Sequence, residues 1–369
     1  MKVNWITRPN NLAGNALGYD TMVRKLLEHS KGLLEHDESS PIALQLCPAE
    51  FFEPIPGKFN VLFTMWESYL IPSVYKLALM NADAVITPSR FCRDVFAPYC
   101  KQRPEVNWLG VDCNKYKYFE RKDPFVEKKP FRFLWVGAPN PRKGYPFIVE
   151  AVKIFEKIQG IEIYVKTTAD SVDWNLISQK REEHKDDPDR LVAYDKMLEN
   201  KEKQISYGRF GKHENIIYDM RKLHPLELVD LYHSAHCFLL PNLGEGWGLT
   251  LSEAMATGAP CIATGKTGEM DFFNDGVGYT LKTDIKDLDL ANYHLKTRAH
   301  IPDTHDVINK MLHVMKHYKE ALRKGRKASA RIQENFTWQK SAKRLAEILK
   351  GYENEAYKIH RSDSVAVTV

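Results

Sequence analysis

Cysteine is sparse and unordered in this chain. Cys47, Cys92, Cys100, Cys113, Cys237 and Cys261 form no CxxC pair, which argues against a zinc ribbon or a disulfide scaffold and for a reducing, cytoplasmic setting. Long apolar runs are missing too, since none approaches the ~18 residues of a membrane span. Residues 1–7, Met-Lys-Val-Asn-Trp-Ile-Thr, lack the apolar core of a secretory signal and read as a first buried strand. Neither charge sign dominates: 53 basic residues are scattered among 48 acidic ones, for a net +5, and no nucleic-acid partner is expected. The basic run Arg323, Lys324, Arg326 and Lys327 reads as a solvated helix face. A mildly basic surface suits phosphate-bearing ligands or an anionic membrane face, so peripheral membrane contact stays open. Asp186-Asp187 and Asp170-Ser-Val-Asp read as solvated charge, and no metal site is expected.

What the sequence does contain is an alternation of short apolar runs with segments at helical spacing, over 369 residues of which 43% are hydrophobic. That length suits two domains of ~100–200 residues, and the alternation predicts an α/β fold with parallel sheets. Strands are expected at Val3–Thr7, Val61–Trp66, Ala84–Thr87, Phe131–Gly137, Ile161–Lys166, Asn215–Tyr218, Cys237–Pro241 and Pro260–Thr264. Met22, Val23, Leu26 and Leu27 recur on one helical face, with Gly32 as a stop. Polar residues at 118–130 suggest a boundary, giving a first domain over 1–125 and a second over 126–337. The charged stretch 169–214 reads as an insertion in the second domain. Helices are expected at Asp306–Tyr318 and Ser341–Leu349, with a tail frayed from Ser362.

The chemistry is densest from Leu240 to Gly258, a strand, a glycine-bearing turn and a helix. Gly246 and Gly248 allow close approach of a ligand, and the amides of Trp247, Gly248, Leu249, Thr250 and Leu251 point outward at the helix start, where phosphate binds. Glu245 and Glu253 flank this turn, and sugar or ribose hydroxyls are natural partners for acids so placed. Thr250-Leu-Ser-Glu253 equally fits a capping box. Upstream, the strand ending at Gly137 leads to Arg142-Lys143-Gly144, which puts two cations at the carboxyl end of a sheet, where doubly wound folds bind ligands. Glu67 closes another strand and reads either as an acceptor contact or as an exposed acid. Asn10 to Tyr19 forms a strand-to-helix loop whose Gly18 could approach a ligand.

The Glu245–Glu253 segment resembles the E-x7-E region of the retaining glycosyltransferases of family 4, and the likeness extends over most of the chain. The resemblance implies a GT-B fold: two Rossmann-like domains facing across a cleft, the first on the acceptor side and the second holding a nucleotide-sugar donor. Asn335-Phe-Thr-Trp resembles the point where the last helix crosses back, so that about 338–361 would join the first domain. It further implies Glu253 on the donor ribose, Glu245 on the transferred sugar, and Arg142 and Lys143 on the diphosphate. Thr267, Gly268 and Glu269 would lie over the sugar, and Gly18 would reach the diphosphate. The implied reaction is retaining, metal-independent hexosyl transfer from a UDP- or GDP-sugar to a hydroxyl of a glycan, lipid or small-molecule acceptor, with no further cofactor. Two departures stand out: Ala138 replaces the usual arginine after the strand's glycine, and Trp66 replaces a usual histidine. A nucleotide-sugar epimerase of the same fold and a non-catalytic nucleotide-sugar-binding protein are the alternatives.

Overall fold

A parallel strand covered on both faces has no solvent side to mark with polar residues, so it appears in sequence as a short, wholly apolar run. The computed structural model describes residues 1–6, 16–167, 178, 181–182, 185–186, 207–210, 214–290 and 295–366. Among them, β1 (Lys2–Ile6), β2 (Glu35–His36), β3 (Ile42–Leu46), β4 (Phe59–Phe63), β5 (Ala84–Thr87) and β6 (Glu105–Val106) form a parallel sheet in the order β2-β1-β3-β4-β5-β6. β3 and β4 are buried at every residue. The helix expected around Met22 runs Ala16–His29 and buries Met22 and Leu26 completely, but leaves Leu27 exposed.

A second sheet contains β7 (Phe131–Val136), β8 (Ile161–Lys166), β9 (Tyr207–Phe210), β10 (Ile216–Asp219), β11 (Cys237–Leu240), β12 (Cys261–Ala263) and β13 (Tyr279–Thr280). Its order is β13-β12-β11-β7-β8-β10-β9, parallel except for β9. Successive β7 side chains go to opposite faces: Phe133 and Trp135 pack with Ile148 and Phe155, whereas Leu134 joins the cluster of Leu251, Met255 and Tyr232. Helices therefore cover both faces, and both sheets are Rossmann-like. The chain winds outward in opposite directions from the adjacent strands β7 and β11. At such a switch point the loops leaving the carboxyl ends diverge and open a crevice. The two loops are 137–144 and 241–248.

A two-stranded antiparallel hairpin, β14 (Thr283–Leu290) and β15 (Leu295–Pro302), follows the second sheet. Its strands are polar, and Ile285 is exposed, so no apolar run marked it in the sequence. It reaches the first sheet's loops, where the Thr297 hydroxyl donates to Ser68 Oγ at 2.5 Å, Ser68 Oγ donates to the Arg298 carbonyl at 3.2 Å, and Tyr69 Oη lies 2.9 Å from His300 Nε2.

Four helices end the described chain: Thr304–Lys316, Tyr318–Asn335, Trp338–Gly351 and Glu353–Ala366. The second carries the basic run Arg323, Lys324, Arg326 and Lys327 that reads in sequence as a solvated helix face, and the last continues through Ser362, where fraying was expected. Thr337 caps the helix Trp338–Gly351, its hydroxyl accepting from the Lys340 amide at 3.3 Å. That helix packs on Ala16–His29, and Asn107 Nδ2 donates to Ser341 Oγ at 3.1 Å. None of the described helices is long and apolar enough to cross a membrane.

The polar stretch read as a boundary hides one of its charges. Arg121 is 5% exposed and donates to the carbonyls of Ala235, Thr257, Phe119 and Tyr232 and to the Thr257 hydroxyl. These groups include the carboxyl ends of the helices Pro225–Ser234 and Leu249–Ala256, whose last carbonyls lack intrahelical partners and carry partial negative charge. Arg121→Lys keeps the charge but loses the five-donor fork, and is expected to cost about 1–3 kcal/mol of stability, read as a lowered denaturant midpoint. An unchanged midpoint would show that the fork is dispensable. The expected insertion at 169–214 lies largely outside the described residues, as does the loop at 10–15.

Candidate functional site

The crevice brings Glu245, Arg142 and Lys143 together. Lys143 leaves β7's loop with its amide held by Asn140 Oδ1 (2.9 Å) and its carbonyl by Trp135 Nε1 (3.1 Å). Its ammonium meets Glu245 Oε1 at 2.5 Å, and Arg142 Nη1 lies 3.5 Å from the same oxygen. The Glu245 side chain is 7% exposed, against 22% for Lys143 and 19% for Arg142, so the cations face the opening and the carboxylate lies behind them. Burial opposes ionisation of Glu245, but the charges and hydrogen bonds of Lys143 and Arg142 outweigh it and hold the carboxyl below its usual range.

The chain then turns through Gly246, Trp247 and Gly248. Gly248 has φ +100° and caps the helix Leu249–Ala256 from the left-handed region, where a side chain would strain the backbone. No described side chain caps this end, so the first-turn amides face the crevice without intrahelical acceptors. Trp247 was assigned to the donor site through its amide; its side chain turns inward, is 1% exposed and packs on Phe272 and Phe336 at ring distances of 4.7 and 5.5 Å. Only its backbone can face a ligand. Leu249 and Thr250 are half-buried in the first turn.

The capping box does not form. Thr250 is the second helical residue, and Glu253 accepts from Tyr232 Oη at 3.1 Å. Tyr116 stands edge-on to Tyr232, and Lys115 donates to Tyr116 Oη at 3.2 Å. Burial pushes the Glu253 carboxyl up to about 7, against the opposing pull of Lys115, Tyr116 and Tyr232. Lys115, Tyr116 and Tyr232 were not anticipated as neighbours of Glu253: the first two lie more than a hundred positions away and Tyr232 lies 21 away on another helix, so they meet Glu253 only through the fold.

Thr267, Gly268 and Glu269 support the turn from below. The Thr267 hydroxyl accepts from the Glu245 amide (2.9 Å) and donates to Glu269 Oε2 (2.7 Å), and the Gly268 amide donates to the Glu245 carbonyl (2.8 Å). Glu269 is fully buried and also accepts from Asn242 Nδ2 at 2.9 Å. Burial raises its carboxyl above the usual range. The Glu269 side chain is turned inward and braces Thr267.

From the first sheet, the segment after β4 closes the opposite wall. A side chain at Gly246 would strike Met65, and one at Gly244 would strike the Glu67 carbonyl. Glu67 Oε1 lies 3.7 Å from Arg142 Nη1, beside the crevice. Trp66, expected near the centre, points away: its indole donates to the Leu70 carbonyl at 2.7 Å and packs on Tyr75. Met65 takes the central position. Gly18 is exposed in the first turn of the helix Ala16–His29, not in the loop expected to hold it.

No HxxxH or DxD-like constellation was expected, yet among the described residues both spacings occur. His313 and His317 are four apart, and their rings meet tilted at 4.6 Å beside Glu320. Asp287 and Asp289 are two apart on β14, and Asp287 is engaged by Arg298 at 2.7 and 3.0 Å. Among the described residues no three His, Cys, Asp or Glu side chains converge as a metal would require.

Comparison with known proteins agrees with this architecture. Residues 117–296 match the family model described as glycosyl transferases group 1. The chain is 24% identical over 215 residues to a trehalose synthase of Pyrococcus horikoshii, covering 58% of this chain and 42% of that protein. It is 28% identical over 113 residues to a sucrose synthase of Acidithiobacillus caldus, covering 31% of this chain and 13% of that protein. This chain thus spans less than half the length of these curated relatives. Among solved structures, sucrose-phosphate synthase from Thermosynechococcus elongatus superposes with TM-score 0.59 at 15% identity, over 93% of this chain and 81% of that one. Anabaena HepE in complex with UDP-glucose gives 0.57 at 14% identity, over 80% and 72%. The fold is GT-B, and residues 117–296 resemble the glycosyl transferases group 1 domain.

Proposed function

We propose that this protein is a retaining glycosyltransferase of family 4 that moves a sugar from a nucleoside diphosphate sugar to an acceptor hydroxyl without a metal ion. One observation carries the reading: two cations and an uncapped helix N-terminus converge around a buried, ionised glutamate in the crevice of a doubly wound sheet. That set of charges matches a diphosphate leaving group beside a sugar that gains positive character. In this reading Arg142, Lys143 and the amides after Gly246 hold the diphosphate, Glu245 faces the transferred sugar, and Glu253 accepts from the ribose hydroxyls. Residues 1–125 with 338–361 form the acceptor side, where Glu67 meets the incoming hydroxyl, and residues 126–337 form the donor side. The solved complexes of HepE with UDP, UDP-glucose, and UDP with glucose favour a uridine donor over a guanosine one.

The acceptor would attack from the face that the diphosphate leaves, with a leaving-group oxygen taking its proton, so the product keeps the donor's anomeric configuration. NMR of the product formed from UDP-glucose in the presence of a chelator tests this; an inverted anomer, or activity restored only by added magnesium or manganese, would refute it.

Glu253 supplies a second check. The folded state holds its proton up to about 7, whereas the unfolded chain releases it near the ordinary value of 4.5. Between these values the native state binds more protons, so stability falls as pH rises through the window. Glu253→Gln is expected to remove that slope in thermal unfolding and to weaken nucleoside diphosphate binding at pH 8, where the native carboxylate accepts from both ribose hydroxyls. Unaltered nucleotide affinity would remove Glu253 from the donor site.

A further inference from the structure

Behind the crevice lies a second cavity of about 660 Å³ that none of Lys143, Glu245 and Glu253 lines. Its walls come from Arg90 and Arg93 on one side, Arg103 beside β6, and Lys340 and Arg344 on the helix Trp338–Gly351. Five cations thus face a cavity whose single acidic lining residue is Glu105. Trp108 stands among them 41% exposed, its indole fixed by a 2.7 Å hydrogen bond to Asp271 and by edge contact with Phe336. The half-exposed ring offers a flat apolar face beside the arginines on which the apolar part of a ligand can lie.

The intramolecular partners of these cations do not neutralise the cavity. Arg344 meets Glu105 at 2.8 Å with both side chains nearly half exposed. Arg93 Nε lies 2.9 Å from Asp94, and Arg103, 69% exposed, is 3.6 Å from the same carboxylate. Exposed pairs of this kind are weak, whereas a phosphate offers several oxygens to more than one guanidinium fork. Arg90 is the exception: its amide and Nε both hold the buried Asp271 at 2.9 and 2.8 Å, so it belongs to the wall and not to the binding edge.

We propose that this cavity is a second anion site, taking a phosphate ester whose attached ring or alkyl face lies on Trp108 while Arg103, Arg344 and Lys340 hold the phosphate. Two sources offer that chemistry, a soluble sugar phosphate and a phospholipid headgroup. The site stands independently of the transfer reaction, since its ligand is bound and not consumed.

Calorimetric titration of the full chain with glucose 6-phosphate, in the presence of saturating UDP to occupy the donor crevice, is expected to show one saturable site. Affinity should fall at least tenfold in Arg103→Ala/Arg344→Ala and in Trp108→Leu, and should be unchanged in Lys143→Ala. Arg103→Ala alone, at the most exposed of these positions, serves if the double variant melts early. Co-sedimentation with phosphatidylcholine vesicles, with and without phosphatidylglycerol, is the second arm. Vesicle binding that needs phosphatidylglycerol and is lost in the same variants, without glucose 6-phosphate binding, assigns the phosphate to a lipid. Binding that survives the Arg103 and Arg344 changes, binding lost in Lys143→Ala, or no binding in either arm overturns the proposal.

Discussion

Lys143→Ala is expected to lower kcat/KM by about 10²- to 10³-fold, the range seen when one preorganised donor to a developing charge is removed. The loss should divide between donor affinity and turnover, because a cation on the diphosphate acts in the ground state and acts more strongly as the bond to the sugar breaks. Removing Lys143 also strips Glu245 of its 2.5 Å partner while the carboxylate stays buried, so the Glu245 carboxyl should rise toward neutral pH and turnover should become pH-sensitive there. A steady-state pH profile reads both effects. A variant with normal KM, normal kcat and a flat profile would place Lys143 outside the reaction.

Glu245→Gln should act with a different signature. The amide removes the negative charge that occupies both Lys143 and Arg142, leaving the two cations available to a nucleoside diphosphate. Product affinity is therefore expected to hold or tighten while kcat falls by about 10²-fold, since the interaction lost is one that strengthens with positive character on the sugar. Fluorescence or calorimetric titration with UDP, set beside kcat, separates this from Lys143→Ala, which should weaken UDP. Normal turnover in Glu245→Gln would remove the residue from the site, and loss of UDP binding in parallel with turnover would show that its role is structural.

Legibility in the sequence followed burial. Strands such as Ile161–Lys166 and Ala84–Thr87 sit where they were expected because their residues are buried throughout, and a fully covered strand is mostly apolar. The buried exceptions are Glu162, paired with Arg132, and Lys166, bonded to backbone carbonyls. β3 was missed although Ser39, Ser40, Pro41 and Pro48 flank it as turn residues; its run is short and is interrupted by Gln45. The hairpin β14–β15 was missed because it is held by cross-strand pairs and by hydrogen bonds to Ser68 and Tyr69, neither of which has a local pattern. The turn at Gly246–Gly248 could be read because a glycine-bearing strand-to-helix turn is a local solution to a local problem. The orientation of Trp247 and Trp66 could not, since which way an aromatic ring points depends on where the nearest uncovered apolar surface lies.

The amino-acid sequence by itself determined the α/β alternation, the two cations after β7 and the paired glutamates around the helix start, because propensity, apolar periodicity and glycine placement act over a few residues. Tertiary structure alone decided that Lys143 and Arg142 converge on Glu245, that Met65 and not Trp66 faces Gly246, and that Glu253 is ringed by Tyr232, Tyr116 and Lys115. It also decided that Glu269 is buried and braces the loop through Thr267 and Asn242. The reason is that the desolvation and pairing of these charges depend on strand order and on the approach of the first sheet's loops to the second, and these are set by the packing of the whole chain.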